Sequence, residues 1–558
     1  MKIGYYPGRH IKNNVSFFLQ EHAIKQANKV VFFFLQKDAL DSGSFDHSFI
    51  TYKNFNNIVN HFSGGLLRAG IKKGDRVIVF TSISPELYIS IAGLQRIGAI
   101  PVLIDSWSRK EQLVEIFQNS QPSAIIALNG WLKTFIDYVD VFGIKIKISV
   151  NDDTTAGKDV IQLNDLLKGA AGKIVPVKQD DIALITYTTG SSGIPKGASR
   201  THRFLAAQHY TLKRLFPYKS KDIDIPVFPV FALNNIASGI TTVIPAIDIS
   251  KPNIKDSKIL ISQIKSCKVN CMTLAPSSFR NLAIYCNMEH ISLDGISRIL
   301  TGGAPISETD ILGFIKIAPN SKNWILYGST EVEPIAYIES REMLSIKKPK
   351  WKNTTKIGVN VGMIDDELHS KCIDIKTGTI CQDIEVESIE IKNGEVGELI
   401  VAGEHVCEGY YKNEEAFLRA KIKDRHGIVW HRTGDLARID KDGYVWIVGR
   451  KHNVIKRGTE YFFPVRPEII LKDLSNVSNA AYLSFASNKK DRIIAVVTLK
   501  EADKKKEKMC RNEICKVFKK ENLPLDEVVF IEEIPMDVRH HSKVDYDKLQ
   551  KKLYEIFA

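Results

Sequence analysis

The chain has 558 residues and a formal net charge of +13, and 44% of its residues are hydrophobic. This length exceeds what a single hydrophobic core sustains, about 250–300 residues, so we expect two or more domains. Eight cysteines are too few for a disulfide scaffold at this length, and no cysteine and histidine spacing typical of zinc sites occurs. The densest basic stretch, residues 504–508, contains a glutamate and no aromatic residue, which excludes nucleic acid from the expected partners.

The net positive charge has two interpretations, a lysine-rich solvated surface or attraction of polyanionic ligands. The N-terminal residues include no apolar segment as long as that of a signal peptide. The apolar run Val30–Leu35 is too short to span a bilayer and is typical of a buried strand. We therefore expect no transmembrane segment and a cytoplasmic location.

Strand-like and helix-like segments alternate through the first four hundred residues. Residues 76–82, 86–98 and 99–105 follow one another as strand, helix and strand, a spacing that predicts βαβ units and a parallel sheet. Near residue 400 the pattern changes to short strands separated by glycine-bearing turns, such as residues 397–401 and 444–448, which indicates antiparallel ribbons.

A compact, lysine-rich stretch with both helical and strand patterns follows the second of these ribbons. We place the domain boundary at its start. The expected organisation is a large α/β domain over residues 1–449 and a small α+β domain over residues 450–558.

The most informative segment is a loop rich in glycine and hydroxyl residues, between a predicted strand at 181–188 and a predicted helix at 201–216. Glycines bring backbone amides close to an anion, and hydroxyls and a lysine add donors and charge. The spacing is not that of a Walker loop, and a flexible linker would not lie between two core elements. The loop predicts a pyrophosphate-binding site formed by Thr188, Thr189, Gly190, Ser191, Ser192, Gly193 and Lys196.

The loop sequence TTGSSGIPKG resembles the phosphate-binding motif of the superfamily of acyl-CoA synthetases, peptide-synthetase adenylation domains and luciferases. Further motifs follow in that family's order. They are the adenine-side turn (Gly302, Gly303, Ala304, Pro305), the YGSTE motif (327–331), the ribose-binding RTGD (432–435) with Gly443-Tyr444, and the hinge GRK (449–451). The resemblance implies an ATP-dependent ligase that converts a carboxylic acid to its acyl-AMP. It also implies layered α/β subdomains with a distorted β-barrel region in the large domain, and a mobile small domain.

The resemblance also implies roles for single residues. Glu331 is expected to hold Mg²⁺ at the phosphates, Thr330 to contact the α-phosphate, and Tyr327, next to Gly328, to stack near adenine. At the other end of the nucleotide, Asp435 is expected to accept hydrogen bonds from the ribose hydroxyls. Arg450 is expected to reach the ribose or a phosphate.

Lys543 lies where the family keeps its catalytic lysine. A cation aimed at the α-phosphate acts mainly in the transition state, where negative charge gathers between two anions. Thr330 and Lys196 complete the expected catalytic set. Lys451 lies at the family's hinge position, and rotation there would replace the Lys543 face of the small domain by a second face.

The expected acyl pocket, formed by Phe228, Phe231 and Val332 beside Gly302, is apolar. No aspartate between residues 231 and 235 is present to meet a substrate ammonium group, so we expect a hydrophobic, fatty acid rather than an amino acid. Residues 228–233 also lack a histidine that many acyl-CoA synthetases carry. This run, the YGSTEVEP stretch and the RHHSK context resemble the olefin β-lactone synthetase branch of the family, in which the substrate's own hydroxyl closes the acyl-AMP without coenzyme A.

For the second half of the reaction we expect ligation of the acyl group to coenzyme A or a related thiol, such as that of a carrier protein. Closure of a 2-alkyl-3-hydroxy acid to a β-lactone is the alternative. A catalytically silent nucleotide-binding module is a further alternative from another class. It is disfavoured because Lys196, Glu331, Asp435 and Lys543 are all present.

Overall fold

The computed structural model describes residues 14–35, 46–104, 108–134, 136–150, 159–189, 195–249, 253–347, 353–375, 378–487, 490–501, 503–536 and 544–557. Five residues of the predicted site, Gly190, Ser191, Ser192, Gly193 and Lys543, lie outside these ranges. Among the described helices, none has both the length and the apolar character that crossing a bilayer requires.

The first sheet has seven strands within the described ranges. Neighbouring strands are parallel except for the last two, which are antiparallel. Its central strands, such as Ala124–Ala127, are buried along their whole length, as expected of strands covered on both faces. In spatial order the strands are Val160–Gln162, Ile146–Ser149, Ala124–Ala127, Arg76–Phe80, Ile100–Leu103, Ile182–Thr189 and Pro195–Thr201.

The second sheet has a mostly parallel half and an antiparallel half. The first half begins with the antiparallel edge strand His47–Thr51 and continues with Val30–Leu35, Thr241–Val243, Ile223–Pro226, Cys271–Leu274, Arg298–Gly302 and Lys322–Ser329. The second half, for which the sequence predicts a distorted β-barrel, contains Val332–Glu339, Val359–Ile364, Tyr444–Arg450, Val429–Ile439, Gly397–Ala402, His369–Ile373 and the short strand Lys421–Lys423. The hairpin between Lys322–Ser329 and Val332–Glu339 joins the two halves.

Helices cover and separate the sheets. Thr51, Thr201 and Ser307 cap three of them, each accepting a hydrogen bond from a backbone amide of the first turn. The α-helices of this region are Ser16–Lys25, Tyr52–Arg68, Pro85–Arg96, Lys110–Ser120, Asn129–Thr134, Ile136–Val141, Leu163–Leu166, His202–Leu215, Pro229–Ser238, Asp256–Ser266, Pro276–Met288, Glu308–Ile317, Ser340–Ser345 and Glu414–Ala420, with 3₁₀ turns at Thr354–Lys356 and Val386–Ile389.

The main hydrophobic core lies between the two sheets. It contains Phe32 of the second sheet, Val77 of the first, and buried residues of the helices Tyr52–Arg68 and Pro85–Arg96. Those two helices pack closely, because a Cβ atom at Gly93 would lie 2.5 Å from the ring of Phe62. The layered α/β prediction is therefore confirmed.

The C-terminal part is a small α+β unit with its own core. Its sheet has three strands, counted over the described residues, and separates two hydrophobic clusters. Tyr482 and Phe518 belong to the cluster on one face, and Leu549 and Leu553 belong to the cluster on the other face. Its elements are the 3₁₀ turn Lys451–Asn453, the hairpin Ile455–Arg457 and Glu460–Phe462, the strands Val477–Ser487, Lys490–Leu499 and Glu527–Phe530, and the helices Val465–Lys472, Lys504–Lys520 and Tyr546–Phe557. The domain boundary at residue 449 stays a prediction. It falls one residue before the end of the strand Tyr444–Arg450.

Candidate active site

The predicted phosphate loop joins two antiparallel strands of the first sheet. Thr188 and Lys196 are cross-strand partners on the strands Ile182–Thr189 and Pro195–Thr201, and Thr189 is paired with Pro195. The Lys196 Nζ lies 5.9 Å from the ring centroid of Tyr410. Burial lowers the pKa of the Lys196 ammonium, although the nearby carboxylate of Glu331 acts in the opposite direction.

The YGSTE motif forms the end of one strand and the turn of the hairpin that joins the two halves of the second sheet. Gly328 is required there, because a Cβ atom would lie 2.8 Å from the carbonyl oxygen of Val332. Arg200 Nη2 donates to the carbonyl oxygen of Thr330 over 2.8 Å. The turn is thus held against the strand that carries Lys196.

The carboxylate of Glu331 lies in a group of polar and charged side chains that includes Lys196, Tyr410, Lys421 and His431. Tyr410 Oη donates to its Oε1 over 2.8 Å. Burial acts to raise the pKa of Glu331, but His431, Lys421 and the hydrogen bonds from Tyr410 and Ser329 outweigh it and lower the pKa to about 2. The side chain is therefore fully ionised at neutral pH.

Two of these neighbours, Lys421 and His431, lie outside the sequence motifs, so the sequence does not predict them as site residues. Lys421 is wholly buried, donates to the carbonyl oxygen of Cys407 and lies 5.7 Å from the ring centroid of Tyr410. His431 is its partner in the adjacent strand. Burial, together with the charge of Lys421, lowers the pKa of His431 to about 3, so this imidazole is neutral at neutral pH. Burial lowers the pKa of the Lys421 ammonium, although Cys407 and Glu331 act in the opposite direction.

Three residues predicted to contact the nucleoside are joined by hydrogen bonds. Tyr327 Oη donates to Asp435 Oδ2 over 2.8 Å, and Arg450 Nε lies 2.8 Å from Asp435 Oδ1. Asp435 and Arg450 are also register partners in adjacent strands. The charge of Asp435 raises the pKa of the Arg450 guanidinium.

The predicted adenine-side turn begins where a parallel strand ends. Gly302 is paired with Leu326, and a Cβ atom at Gly302 would lie 2.2 Å from the Leu326 carbonyl oxygen. Gly303 has a φ of +91°, a conformation that favours glycine. Ala304 and Pro305 then lead toward the helix Glu308–Ile317. The turn is therefore adjacent to Tyr327, the residue after Leu326.

The structure brings together two of the three residues predicted for the acyl pocket. The rings of Phe228 and Phe231 have centroids 6.2 Å apart, and Phe231 lines a cavity of about 90 Å³ between helices. Val332 is fully buried in a different hydrophobic cluster, with Ala336. Its neighbour Glu333 lines the cavity instead.

The predicted hinge residue contacts the large domain. Lys451 begins the 3₁₀ turn Lys451–Asn453, and its Nζ lies 3.5 Å from Oε1 of Glu398. Glu398 is fully buried and also accepts from Arg432 Nε over 3.1 Å. No sequence motif distinguished Glu398.

A family model described as "AMP-binding enzyme" matches residues 19–411, more than two thirds of the chain. The fold and the site define an enzyme that activates a carboxylic acid as an adenylate. The chain belongs to the family of AMP-binding enzymes, as its motifs predict.

Curated relatives include two olefin β-lactone synthetases. The enzyme from Xanthomonas campestris pv. campestris is 28% identical over 429 residues, which cover 73% of this chain and 74% of the relative. The enzyme from Stenotrophomonas maltophilia is 25% identical over 516 residues, 90% of each chain. A 4-coumarate–CoA ligase from Vanilla planifolia is 24% identical over 460 residues, which cover 80% of this chain and 78% of the ligase.

Solved structures share the fold at lower identity. The anthranilate CoA ligase AuaEII in complex with anthranoyl-AMP has a TM-score of 0.79 at 17% identity and covers 97% of this chain, which covers 98% of the ligase. The O-succinylbenzoate coenzyme A synthetase MenE from Bacillus subtilis, in complex with ATP and magnesium ion, has a TM-score of 0.73 at 16% identity, with coverages of 96% and 99%. The predicted two-domain fold is confirmed.

Proposed function

We propose that this enzyme uses ATP to convert a hydrophobic carboxylic acid to its acyl-AMP and releases pyrophosphate. One observation carries the proposal. A single strand and its turn bear both Tyr327, which is hydrogen-bonded to Asp435, and the ionised Glu331, which is near Lys196. A nucleoside site and a polyphosphate site are therefore only a few residues apart.

The nucleotide would lie along this strand. Asp435 retains acceptor capacity for ribose hydroxyls, because two carboxylate oxygens offer about four lone-pair sites and Tyr327 and Arg450 occupy two. The adenine would lie against the turn at Gly302, and the phosphates beneath the loop, near Lys196 and Thr330.

Glu331 is suited to hold Mg²⁺. This ion prefers one or two carboxylates together with phosphate oxygens, and Glu331 is ionised and near Lys196. Bound Mg²⁺ would neutralise charge on the phosphates. MenE, which shares the fold, was solved in complex with ATP and magnesium ion, and this supports magnesium as the metal.

In the first step a carboxylate oxygen of the acid bonds to the α-phosphorus. The bond from that phosphorus to the bridging oxygen breaks, and pyrophosphate leaves. Lys543 would place an ammonium group where charge gathers between the two anions. Phe228 and Phe231 would contact the hydrocarbon part of the acid.

For the second step we place β-lactone closure first. The hydroxyl oxygen of a 3-hydroxy acid bonds to the acyl carbon, the bond from that carbon to the AMP oxygen breaks, and the hydroxyl proton passes to water. Support comes from the two β-lactone synthetases, whose matches cover 73% and 90% of this chain, and from residues 228–233, which contain no histidine. Ligation to coenzyme A, the expectation from the sequence, is the second candidate, supported by the 4-coumarate–CoA ligase.

The test supplies a long-chain fatty acid or a 2-alkyl-3-hydroxy acid, each with and without coenzyme A, and identifies products by mass. Lys543→Ala and the surface variant Lys548→Ala provide the matched pair. We expect acid-dependent pyrophosphate release that falls by about 10²-fold or more in Lys543→Ala only. ATP-dependent loss of water from the hydroxy acid, indifferent to coenzyme A, would support lactone closure. An acyl-CoA formed from the simple acid would reverse the order of the two candidates.

A further inference from the structure

The cavity that Phe231 lines lies between the helices Ser16–Lys25, His202–Leu215 and Pro229–Ser238. Most of its walls are hydrocarbon, contributed by residues such as Phe18, Leu205, Leu212 and Ile236. Glu333, two residues beyond the proposed metal ligand, also lines the cavity. The cavity therefore lies in the helical layer, and its lining includes one residue of the strand that follows the proposed metal ligand.

Two polar side chains lie side by side in this mostly apolar lining. His209 and Asn234 lie on separate helices, with His209 Nδ1 and Asn234 Oδ1 2.9 Å apart. His209 is only 5% exposed. Burial lowers its pKa to about 4, so the imidazole is neutral at neutral pH and is a weak base.

A neutral imidazole bonded to an amide leaves at least one donor and one acceptor unused. If Nδ1 donates to the amide oxygen, Nε2 of His209 remains an acceptor and Nδ2 of Asn234 remains a donor. The opposite tautomer with a reversed amide leaves a ring N–H donor and an amide oxygen acceptor. Within the described part of the chain, no further hydrogen bond engages either side chain.

An alcohol is the simplest group that satisfies both atoms, because its oxygen accepts while its proton is donated. An ammonium group would leave the donor unpaired, and a carboxylate would leave the acceptor unpaired. A plain hydrocarbon would pair with neither atom while it excluded water from both, which is costly.

We propose that His209 and Asn234 bind the hydroxyl group of the acid, and so select a hydroxylated hydrophobic acid over its deoxy counterpart. This inference rests on the proposed function, because it takes the cavity as part of the acid-binding site. The role is recognition. The hydroxyl proton is shared with the pair and is not removed by it.

The experiment compares a 2-alkyl-3-hydroxy acid with the 2-alkyl acid that lacks the hydroxyl. The ratio of their kcat/KM values for pyrophosphate release is measured for the wild type, His209→Leu, Asn234→Leu and the conservative His209→Gln. His61→Leu, an exposed histidine elsewhere on the surface, is the matched control. Because both acids are measured on the same enzyme preparation, the ratio does not depend on how much of that preparation is folded. The wild-type ratio tests the inference without any substitution.

We expect the wild type to favour the hydroxy acid by about tenfold or more, since a site built to bind a hydroxyl discriminates against the analogue without it. The ratio of kcat/KM for the hydroxy acid to kcat/KM for the deoxy acid should approach one in both leucine variants. In His209→Gln the ratio should lie between that of His209→Leu and that of the wild type, and in His61→Leu it should equal that of the wild type. Equal use of the two acids by the wild type, or an unaltered ratio in His209→Leu, would overturn the inference and leave adenylation standing. Pyrophosphate release from neither acid would contradict the proposed function, and the inference with it.

Discussion

Asp435 and Arg450 face each other across two antiparallel strands, with Arg450 Nε 2.8 Å from Asp435 Oδ1. Arg450 is also the last residue of its strand, immediately before Lys451. The proposed ribose ligand is thus held by the residue that adjoins the proposed hinge. Nucleotide binding and the orientation of the small domain would therefore share one ion pair.

Replacing Asp435 by alanine should weaken ATP binding. The change removes the ribose acceptor and also the partner of Arg450 and Tyr327. Hydrogen bonds to charged groups contribute about 1.5–3 kcal/mol, so we expect the dissociation constant for ATP to rise by about tenfold or more. Calorimetric titration would measure it. Asp442→Ala, at an exposed turn position beyond the same strand, is the control, and equal affinities in the two variants would exclude the ribose role.

Glu331→Gln should raise the Mg²⁺ concentration needed for ATP binding. Glutamine keeps the shape and an acceptor for Tyr410 but removes the charge that a divalent cation requires. ATP affinity is measured by calorimetry as a function of Mg²⁺, so the result does not depend on turnover. Glu408→Gln removes an exposed carboxylate from a neighbouring segment and should match the wild type. Superimposable Mg²⁺ curves for Glu331→Gln and wild type would rule out the ligand.

Lys451→Pro should separate the two half-reactions if coenzyme A is the acceptor. Proline is compatible with the first position of the turn that Lys451 begins, but it restricts the backbone rotation that a hinge needs. Acyl-AMP formation should continue, transfer to a thiol should stop, and any lactone closure should persist. Lys451→Met, which removes the ion pair with Glu398 and leaves the backbone free, is the control. Normal thiol transfer by the proline variant would place the hinge elsewhere.

A buried histidine outside the site should make stability depend on pH. His202 is 1% exposed and accepts a hydrogen bond from the Val15 amide, and burial lowers its pKa from 6.5 to about 4. Below pH 6.5 the unfolded chain binds the proton first, so acid favours unfolding. Between pH 7 and 5 the wild type should lose about 2 kcal/mol more than His202→Gln. Urea unfolding at both pH values measures this, and parallel losses would show that His202 is not responsible.

The order of helices and strands is largely predictable from the sequence, but one strand is not. The sequence predicts a loop running directly into a helix near residue 201, whereas the strand Pro195–Thr201 intervenes. Pro195 and Gly197 are typical of loops. They are accommodated because this strand is at the edge of its sheet and Pro195 is its first residue. Edge position is a tertiary property that local sequence does not carry.

The residues of the candidate site also fall into those that local sequence predicts and those that depend on tertiary contacts. Tyr327, Glu331 and Asp435 lie in short motifs and were found, whereas Lys421 and His209 have no local pattern and gain their surroundings only from distant segments. Side chains alternate between the two faces of a strand, which explains why Val332, predicted for the acyl pocket, does not line the cavity. Glu333 faces the cavity, and the adjacent Val332 packs on the opposite side.

The central claim is that the carboxylate attacks the α-phosphorus, and an oxygen label tests it most directly. A substrate acid labelled with ¹⁸O in both carboxylate oxygens is turned over with ATP and the AMP is analysed by mass spectrometry. If an acyl-AMP forms, the attacking oxygen stays on phosphorus when the acyl carbon is later released, so AMP should carry one ¹⁸O atom. Label in inorganic phosphate together with ADP, or AMP without label, would contradict the account.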